Sequence, residues 1–304
     1  MTKHILITGG TGFIGQHLVD QWLQQGHQIT VFSRRPDWVE QRWQGQVYGV
    51  NTAAQLGERY HWLINLAGEP IADRRWSDAR KQALRASRVD FTRDLAEWAS
   101  TSGQQFEVVI SGSAVGYYGG LSGSPEQQTV TEDDQAGSDF AARLCEDWEQ
   151  AASLMAQHSE RLLCVRTGLV LGPRGGMLKR LWLPFSLGLG GRIGGGLQYM
   201  PWVHLHDYCR AIHWLLQHPT LTGPVNMTAP ESVTNADFSA ELGRTLRRPA
   251  ILPMPELSAK CLFGEMSELL LLGQRALPER LQQADFQFDF PQLAPALRDI
   301  KQRW

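Results

Sequence analysis

The sequence has few of the features that mark a secreted, disulfide-bonded or zinc-binding protein. Its 304 residues include four cysteines, Cys145, Cys164, Cys209 and Cys261, and no two of them form a C-x-x-C pair. This spacing argues against both a zinc site and a redox dithiol. We interpret the cysteines as small buried residues of a protein in a reducing compartment.

The sequence also lacks an excess of charge and a long apolar run. There are 29 Lys and Arg against 31 Asp and Glu, a formal net charge of −2. The longest apolar run, Leu269 to Leu272, is far shorter than the roughly 18 residues of a membrane span. No signal-like segment precedes the strand that begins near residue 5. We therefore expect a cytoplasmic protein with no nucleic-acid partner and no membrane partner.

What the sequence does contain is a glycine turn between a strand and a helix. The β-branched run at 5–8 reads as a buried strand, and apolar residues recur at helical spacing after residue 13. Such a turn lets the backbone approach a pyrophosphate and points a helix N-terminus at its charge. We interpret it as a dinucleotide-binding turn, with a purely structural turn as the alternative. The residues predicted to contact the cofactor here are Gly9, Thr11, Gly12, Phe13, Ile14 and Gly15.

The end of the second predicted strand, 29–32, indicates which dinucleotide is bound. It reads Ser33, Arg34 and Arg35, and the first acid, Asp37, comes after a proline. An acid at this position would bond the ribose hydroxyls of NAD, whereas arginines neutralise the phosphate on the NADP ribose. We predict NADP(H) as the cofactor. The alternative is that the two arginines lie in a solvated loop.

Further strands at about 46–50, 61–66, 106–110 and 161–170 alternate with helices, which predicts a doubly wound parallel sheet. The ends of two of them add cofactor-binding candidates: Leu66, Ala67, Gly68 and Ser111. We predict a Rossmann-type α/β fold with a smaller, discontinuous C-terminal α/β lobe. Its dinucleotide-binding domain spans 1–171, with the sheet completed by about 205–228. The smaller lobe comprises 172–204 and 229–304.

Two segments outside the predicted domain 1–171 carry further expectations. Six glycines within 188–196 predict a flexible loop over a pocket. His204 and His206 stand two apart, but a metal site would need a third ligand that the sequence does not suggest. We therefore expect no metal, and instead a strand end followed by a helix that Asp207 caps.

Several motifs in this order resemble the extended short-chain dehydrogenase/reductases, the superfamily of nucleotide-sugar epimerases and dehydratases. The residues within these motifs are similar to those of an atypical branch, the YfcH-like epimerase-family proteins, which have a C-terminal domain of unknown function. The resemblance covers essentially the whole chain and implies a homodimer through helices 77–102 and 138–157. The motifs are 8–15, 65–71, 111–119, 144–149, 166–168, 202–207 and 273–278.

The resemblance also shows what is missing from the expected catalytic set. Members of the superfamily use a serine or threonine with a tyrosine and a lysine four residues apart on a helix, and the lysine lowers the tyrosine pKa. Ser113 matches the serine, but Phe140 and Leu144 stand near the positions of the other two. A register shifted by one residue gives Asp139 and Arg143, and an arginine stays protonated.

The first of three readings is an NADP(H)-dependent oxidoreductase or epimerase of unknown small-molecule substrate, with a rearranged acid/base group. Its catalytic candidates are Ser113, Tyr117 and Tyr118, and its substrate-pocket candidates are Glu69, Arg88 and Arg166. The second reading is a non-catalytic NADP(H)-sensing regulator, since some relatives in this branch are linked to division of cells or plastids. The third is an interaction protein with a vestigial pocket, against which the intact glycine turn argues.

Overall fold

A parallel sheet forms the centre of the computed structural model, which describes residues 2–57, 59–124 and 126–304. Buried β-branched and leucine side chains fill its strands, as expected for strands covered on both faces. The strands of the described chain are β1 (His4–Thr8), β2 (Gln28–Phe32), β3 (Tyr48–Val50), β4 (Trp62–Asn65), β5 (Phe106–Ala114), β6 (Thr129–Val130), β7 (Ser159–Thr167), β8 (Leu169–Leu171), β9 (Tyr199–Met200), β10 (Trp202–His204), β11 (Gly223–Met227), β12 (Val233–Thr234) and β13 (Arg275–Ala276).

Seven strands make up this sheet, in the order β11-β7-β5-β4-β1-β2-β3, and every neighbouring pair is parallel. The order reverses next to β1, where the chain crosses from the β2 side to the β4 side. In open α/β sheets, ligands bind beyond the carboxyl ends of the strands at such a switch point. The predicted doubly wound Rossmann-type sheet is confirmed.

Helices cover both faces of the sheet. A π-helical segment (Ala86–Asp90) joins the third and fourth of them into one long helical element. The helices of the described chain are α1 (Phe13–Gln24), α2 (Pro36–Arg42), α3 (Asp78–Arg85), α4 (Phe91–Ser102), α5 (Phe140–Ser153), α6 (Gly176–Ser186), α7 (Leu205–Gln217), α8 (Asn235–Leu246), α9 (Glu256–Phe263), α10 (Glu268–Leu271), α11 (Glu279–Gln283) and α12 (Leu293–Gln302). None of the helices in the described residues is long and apolar enough to cross a membrane.

The core is divided by the alternation of side chains along each strand. In β1, Ile5 and Ile7 join the cluster that α1 and α7 cover, whereas Leu6 joins the cluster packed against α4. A separate cluster lies between α6, α8 and α12 and forms the core of the second lobe. Around that lobe, short strands pair as β8 with β10, β9 with β12, and β6 with β13.

Two local expectations differ from the structure. The segment 188–196 is not a free loop, because its backbone bonds to the segment 250–254. Leu252 donates to the Gly190 carbonyl at 3.1 Å, and Met254 donates to the Arg192 carbonyl at 2.9 Å. The cap of α7 is His204, whose ring Nδ1 accepts the His206 N–H at 3.1 Å. Asp207 has other partners, which are described below.

Candidate functional site

The glycine turn 9–15 leaves no room for a side chain at Gly9 or at Gly15. Gly9 has φ +71°, and a Cβ there would lie 2.6 Å from the Leu66 carbonyl oxygen. A Cβ on Gly15 would lie 2.3 Å from the Gly9 carbonyl oxygen. Gly12 is different, because a Cβ there would meet only that same oxygen, at 3.1 Å. The backbone at Gly12 is therefore open on its outer side.

This open side coincides with the N-terminus of α1. Gly12 occupies the N-cap position and has no side chain with which to cap the first N–H groups of the helix. Its own N–H donates to the Gly9 carbonyl at 2.9 Å, which closes the turn. Free N–H groups and the positive end of the helix dipole favour an anion at this point. The cradle fits the pyrophosphate of a dinucleotide.

The predicted candidates at the end of β4 lie beside the turn because a buried polar network holds them there. Thr8 Oγ1 donates to Asn65 Oδ1 at 2.7 Å and accepts the Ala67 N–H at 3.1 Å. Asn65 Nδ2 donates to Thr92 Oγ1 at 2.8 Å, and Ser111 Oγ lies 3.5 Å from the same nitrogen. Leu66, Ala67, Gly68 and Ser111 thus share one edge of the sheet with the glycine turn.

Arg34 extends from the end of β2, and its side chain is 89% exposed. Its Nη1 lies 3.7 Å from a carboxylate oxygen of Glu69. Glu69 has a closer partner in Arg80, and the hydrogen bond from Arg80 lowers the pKa of the Glu69 carboxyl. Because Arg80 already holds Glu69, Arg34 is free to turn toward another anion.

The two neighbours of Arg34 have local partners. Ser33 Oγ accepts the backbone N–H of Arg35 at 3.1 Å. The Arg35 guanidinium lies over the Trp38 ring, 5.3 Å from its centroid, a cation–π distance. Of the two arginines predicted to bind the cofactor phosphate, Arg34 is the one closer to the loop that follows β4.

Arg88 supports the loop after β4 from below. It donates to the Glu69 carbonyl at 2.8 Å, and its guanidinium lies 5.3 Å from the Trp148 ring centroid. A Cβ on Gly68 would lie 3.0 Å from Arg88 Cζ, so the backbone runs directly over the guanidinium. Burial lowers the pKa of Arg88. Its placement in a substrate pocket stays a prediction, and the contacts found here are with the protein itself.

Ser113 belongs to a buried ionic network that connects three elements. Ser113 Oγ donates to Glu149 Oε1 at 2.6 Å. Arg166 holds both carboxylate oxygens of Glu149, through Nε at 2.9 Å and Nη2 at 3.0 Å. Burial alone would lower the pKa of Arg166, but the hydrogen bonds and the negative charge of Glu149 raise the pKa of Arg166 above its usual value. Paired buried charges of this kind fix side-chain positions.

Tyr118 continues this network on the other side of Arg166. Its hydroxyl donates to Asn226 Oδ1 at 2.7 Å and accepts from Arg166 Nη1 at 2.9 Å. The side chain is 2% exposed, and burial raises the pKa of Tyr118 to about 12. Both Tyr118 and Arg166 therefore face the protein interior, and their predicted roles toward a substrate remain untested.

Tyr117 is placed differently from its neighbour. Its ring covers the Arg166 guanidinium at 3.5 Å from the centroid, and the residue is only partly buried. In the described part of the chain, its hydroxyl has no hydrogen-bond partner. Of the three catalytic candidates, Tyr117 is the one whose hydroxyl is available to a ligand.

The positions of the missing tyrosine and lysine are filled by an apolar cluster. Phe140 packs edge-on against Trp76, with ring centroids 4.9 Å apart, and Leu144 is buried beside Trp148. Lys81 Nζ lies 5.0 Å from the Phe140 ring centroid and pairs with Glu265 at 2.6 Å. In the described chain, the two positions of α5 where the superfamily has its tyrosine and lysine therefore carry apolar side chains and no titratable group.

The side chain of Phe13 joins the glycine turn to the second lobe. Phe13, the first residue of α1, packs its ring into a loop that contains three glycines. A Cβ would lie 2.8 Å from this ring at Gly172, 2.0 Å at Gly175 and 3.2 Å at Gly176. The ring therefore takes the space that side chains would need on that loop. We call residues 172–176 the Phe13 seat.

His206, Asp207 and Asp289 bring three metal-ligand atoms close together. Asp207 is completely buried and accepts the N–H groups of Asp289 at 3.0 Å and Phe290 at 2.8 Å. Arg210 Nη1 lies 3.0 Å from both Asp207 and Asp289. The Arg210 guanidinium and these N–H groups already compensate the negative charge of the two carboxylates, so we interpret the cluster as an internal ion-pair network.

The signal for the buried network was only partly present in the sequence. Trp148 and Glu149 belong to the motif at 144–149, but that motif does not indicate which residue pairs with Glu149. Asn226 and Thr92 carry no motif at all. These residues come from separate helices and strands, and only the fold brings them to the ends of β4, β5 and β7.

A parallel sheet of this order, with a glycine turn after its first strand, defines a Rossmann-type dinucleotide-binding protein. The comparisons with known proteins agree with this class. The profile of the NAD dependent epimerase/dehydratase family matches residues 5–227, and that of a domain of unknown function, DUF1731, matches 254–300. The chain belongs to the NAD dependent epimerase/dehydratase family.

Relatives are similar over their full length. Epimerase family protein MT2273 of Mycobacterium tuberculosis is 40% identical over 96% of this chain and 96% of its own. Epimerase family protein SDR39U1 of Homo sapiens is 35% identical over 97% of this chain and 99% of its own. A crystal structure of human SDR39U1 (isoform2) with NADPH has a TM-score of 0.89 at 33% identity, covering 99% of this chain and 100% of that one.

Proposed function

We propose that the protein binds NADP(H) at the glycine turn and acts as an oxidoreductase or epimerase on a small-molecule substrate. The observation that carries the cofactor assignment is Arg34, an exposed cation at the end of β2 beside the loop that follows β4. A cation at this place matches the extra phosphate of NADP(H) rather than the ribose hydroxyls of NAD(H). The structure of a relative solved with NADPH supports the same choice.

Each part of the site has a separate role in holding the cofactor. The N–H groups at the start of α1 would bind the pyrophosphate, and Arg34 would bind the ribose phosphate. Ala67 and Gly68 leave room for the adenosine half to pass the end of β4. Thr8 and Asn65 keep that strand end in place through hydrogen bonds of 2.7 and 3.1 Å.

When bound, NADP(H) supplies hydride chemistry, and the chain has to handle the proton on the substrate oxygen. Tyr117 is our candidate for this role because its hydroxyl has no partner in the described part of the chain and because it follows β5 at the ligand-binding edge. The Arg166 guanidinium under its ring and the Glu149 carboxylate behind that guanidinium hold the phenol in position. Ser113, bonded to Glu149, is the second candidate, for orienting the substrate oxygen.

A second candidate function is an NADP(H)-sensing protein without turnover. It is favoured by the internal bonding of Ser113 and Tyr118 and by the apolar cluster at the usual tyrosine and lysine positions. The small-molecule substrate, the homodimer and the cytoplasmic location remain predictions from the sequence.

The cofactor proposal is tested by titration with NADPH and NADH, with tryptophan fluorescence as the readout. We expect NADPH to bind more tightly, and Arg34→Ala to weaken NADPH binding about tenfold or more because a charge-assisted contact to phosphate is lost. NADH binding should change little. Arg42→Ala is the matched control, since Arg42 lies on the neighbouring α2 but pairs with Asp20. Equal affinities for the two cofactors would contradict the proposal.

The catalytic proposal is tested with a panel of carbonyl compounds and sugar nucleotides, by following NADPH oxidation and product stereochemistry. With any substrate that turns over, Tyr117→Phe should lower kcat about a hundredfold, a usual contribution of a general acid, with NADPH affinity unchanged. Tyr118→Phe should instead lower Tm, because it removes the donor to buried Asn226 Oδ1 and one of the two acceptors of Arg166 Nη1. Tight NADPH binding with no turnover across the panel would favour the sensing function.

A further inference from the structure

A cleft in the second lobe is lined mainly by cationic side chains. It lies between the last turns of α8 and α12 and has a volume of about 530 Å³. This is within the size range of small-molecule sites, roughly 300–1,000 Å³. None of the residues of the glycine turn contributes to it. Its main lining residues are Glu241, Arg244, Thr245, Arg247, Arg298 and Lys301.

The charges in this cleft are not balanced within the protein. Four cations face a single carboxylate, Glu241, and Arg244 pairs with that carboxylate at 3.0 Å. The C-terminal ends of the two helices each add about half a negative charge. An excess of about two positive charges therefore remains after the carboxylate and both helix dipoles are counted.

Two of these arginines have no partner among the described residues that would offset their charge. Within residues 2–57, 59–124 and 126–304, the side chains of Arg247 and Arg298 make no ion pair and no hydrogen bond. Arg247 also has φ +56°, a left-handed conformation that favours glycine.

One buried polar residue, Thr245, lines the cleft beside the exposed Lys301. Thr245 is 9% exposed, and its hydroxyl has no hydrogen-bond partner in the part of the chain that the structure describes. Lys301 Nζ donates to the Thr245 carbonyl at 2.6 Å, which fixes one ammonium group next to that hydroxyl. A buried hydroxyl without a partner is unfavourable unless a ligand or water satisfies it.

We propose that this cleft binds a small anion that carries two or more phosphate charges, a pyrophosphate or a phosphate ester, at a site separate from the glycine turn. The excess of positive charge, the unpaired arginines and the volume all match such a ligand. No aromatic side chain lines the cleft within the described residues, so a nucleobase would have nothing to stack on. The phosphate groups themselves are what the cleft recognises.

The test is isothermal titration with sodium pyrophosphate in the presence of saturating NADPH, at constant ionic strength. We expect one site per chain, and the double variant Arg247→Gln/Arg298→Gln should weaken binding at least tenfold. Saturating NADPH occupies the glycine turn, and Arg247 and Arg298 lie outside that turn, so a loss of affinity in the double variant assigns the ligand to this cleft. ADP should bind within about threefold of pyrophosphate, since the base adds no contact.

The matched control is Arg93→Gln/Lys260→Gln, which also removes two exposed cations, both outside the cleft. It should change the affinity less than twofold. Thermal unfolding of each variant shows that the chains are folded. Pyrophosphate binding that survives the loss of Arg247 and Arg298, or the absence of saturable binding in the millimolar range, would overturn the proposal.

Discussion

At the scale of single residues, the hydrogen bonds that a hydroxyl already makes decide what it can do for a ligand. Tyr118 is bonded on both sides and buried, and burial raises its pKa to about 12, so it stays protonated at neutral pH. Its neighbour Tyr117 lies over Arg166, and the Tyr117 hydroxyl has no hydrogen-bond partner among the residues that the structure describes. Two adjacent tyrosines that look equivalent in the sequence therefore offer different chemistry.

The glycine turn was easier to predict than the buried network around Ser113, for a physical reason. Gly9, Gly12 and Gly15 lie within seven consecutive residues, and their spacing between a strand and a helix indicates the turn. Glu149 and Arg166 lie 17 residues apart on α5 and β7. Their pairing depends on how the helix packs on the sheet, and nothing in the spacing indicates it.

His204 makes the stability of the protein depend on pH. Its Nδ1 accepts the His206 N–H, and burial lowers the pKa of the ring to about 4 from its usual 6.5. The folded state therefore holds the neutral ring, and this preference stabilises the protein fully above pH 6.5. The stabilisation is lost as the pH falls from about 6.5 toward 4, by about 3 kcal/mol at most.

We expect His204→Asn to reduce this loss, because asparagine also caps a helix but does not titrate. The measurement is the free energy of unfolding in urea at pH 7.5 and at pH 4.5, for both proteins. The decrease between the two pH values should be about 2 kcal/mol smaller in the variant. His4, His27 and His213, whose pKa values burial also lowers, are unchanged and cancel in the comparison. Equal decreases in both proteins would contradict this account.

At the scale of elements, long apolar runs were predictable and short elements were not. The strands around 5–8, 29–32, 62–65 and 106–110 are runs of mostly buried, mostly apolar residues, and the sequence pattern shows them directly. The C-terminal region contains several prolines, and its helices α9 to α11 are at most eight residues long. Helices this short depend on tertiary packing rather than on their own periodicity.

The start of α7 shows how tertiary contacts change the role of a residue. The sequence predicts Asp207 as a helix cap, but its carboxylate accepts N–H groups from Asp289 and Phe290, which lie far along the chain. His204 caps the helix instead. A local pattern cannot distinguish these two uses, because both require only a carboxylate near a helix N-terminus.

Asp207 thus connects α7 to the segment that precedes α12. We expect Asp207→Ala to lower the free energy of unfolding by about 3 kcal/mol, since it leaves two backbone N–H groups and Arg210 without their buried partner. Asp289→Ala is the comparison, because Asp289 is 49% exposed in its pairs with His206 and Arg210, and its loss should cost under about 1 kcal/mol. Urea unfolding measures both, and equal effects of the two substitutions would contradict the assignment.

At the scale of the whole molecule, alternating strands and helices predicted the parallel sheet, and the motifs predicted the family. The place of β11 at the edge of the sheet required the structure. This strand comes from 223–227, within the segment of about 205–228 that the sequence predicts to complete the sheet, and it pairs with β7. The sequence did not predict the short pairs β8–β10 and β9–β12, since two or three residues are too few to show an alternating pattern.

The Phe13 seat has a practical consequence for anyone who wishes to isolate the dinucleotide-binding half. A fragment that ends at residue 171 would keep every glycine of the turn but would lose residues 172–176, against which the Phe13 ring packs. It would also lose β11 and leave β7 as an unpaired edge. The half that holds the nucleotide motif is therefore not self-sufficient, and a minimal binding unit has to extend through the second lobe.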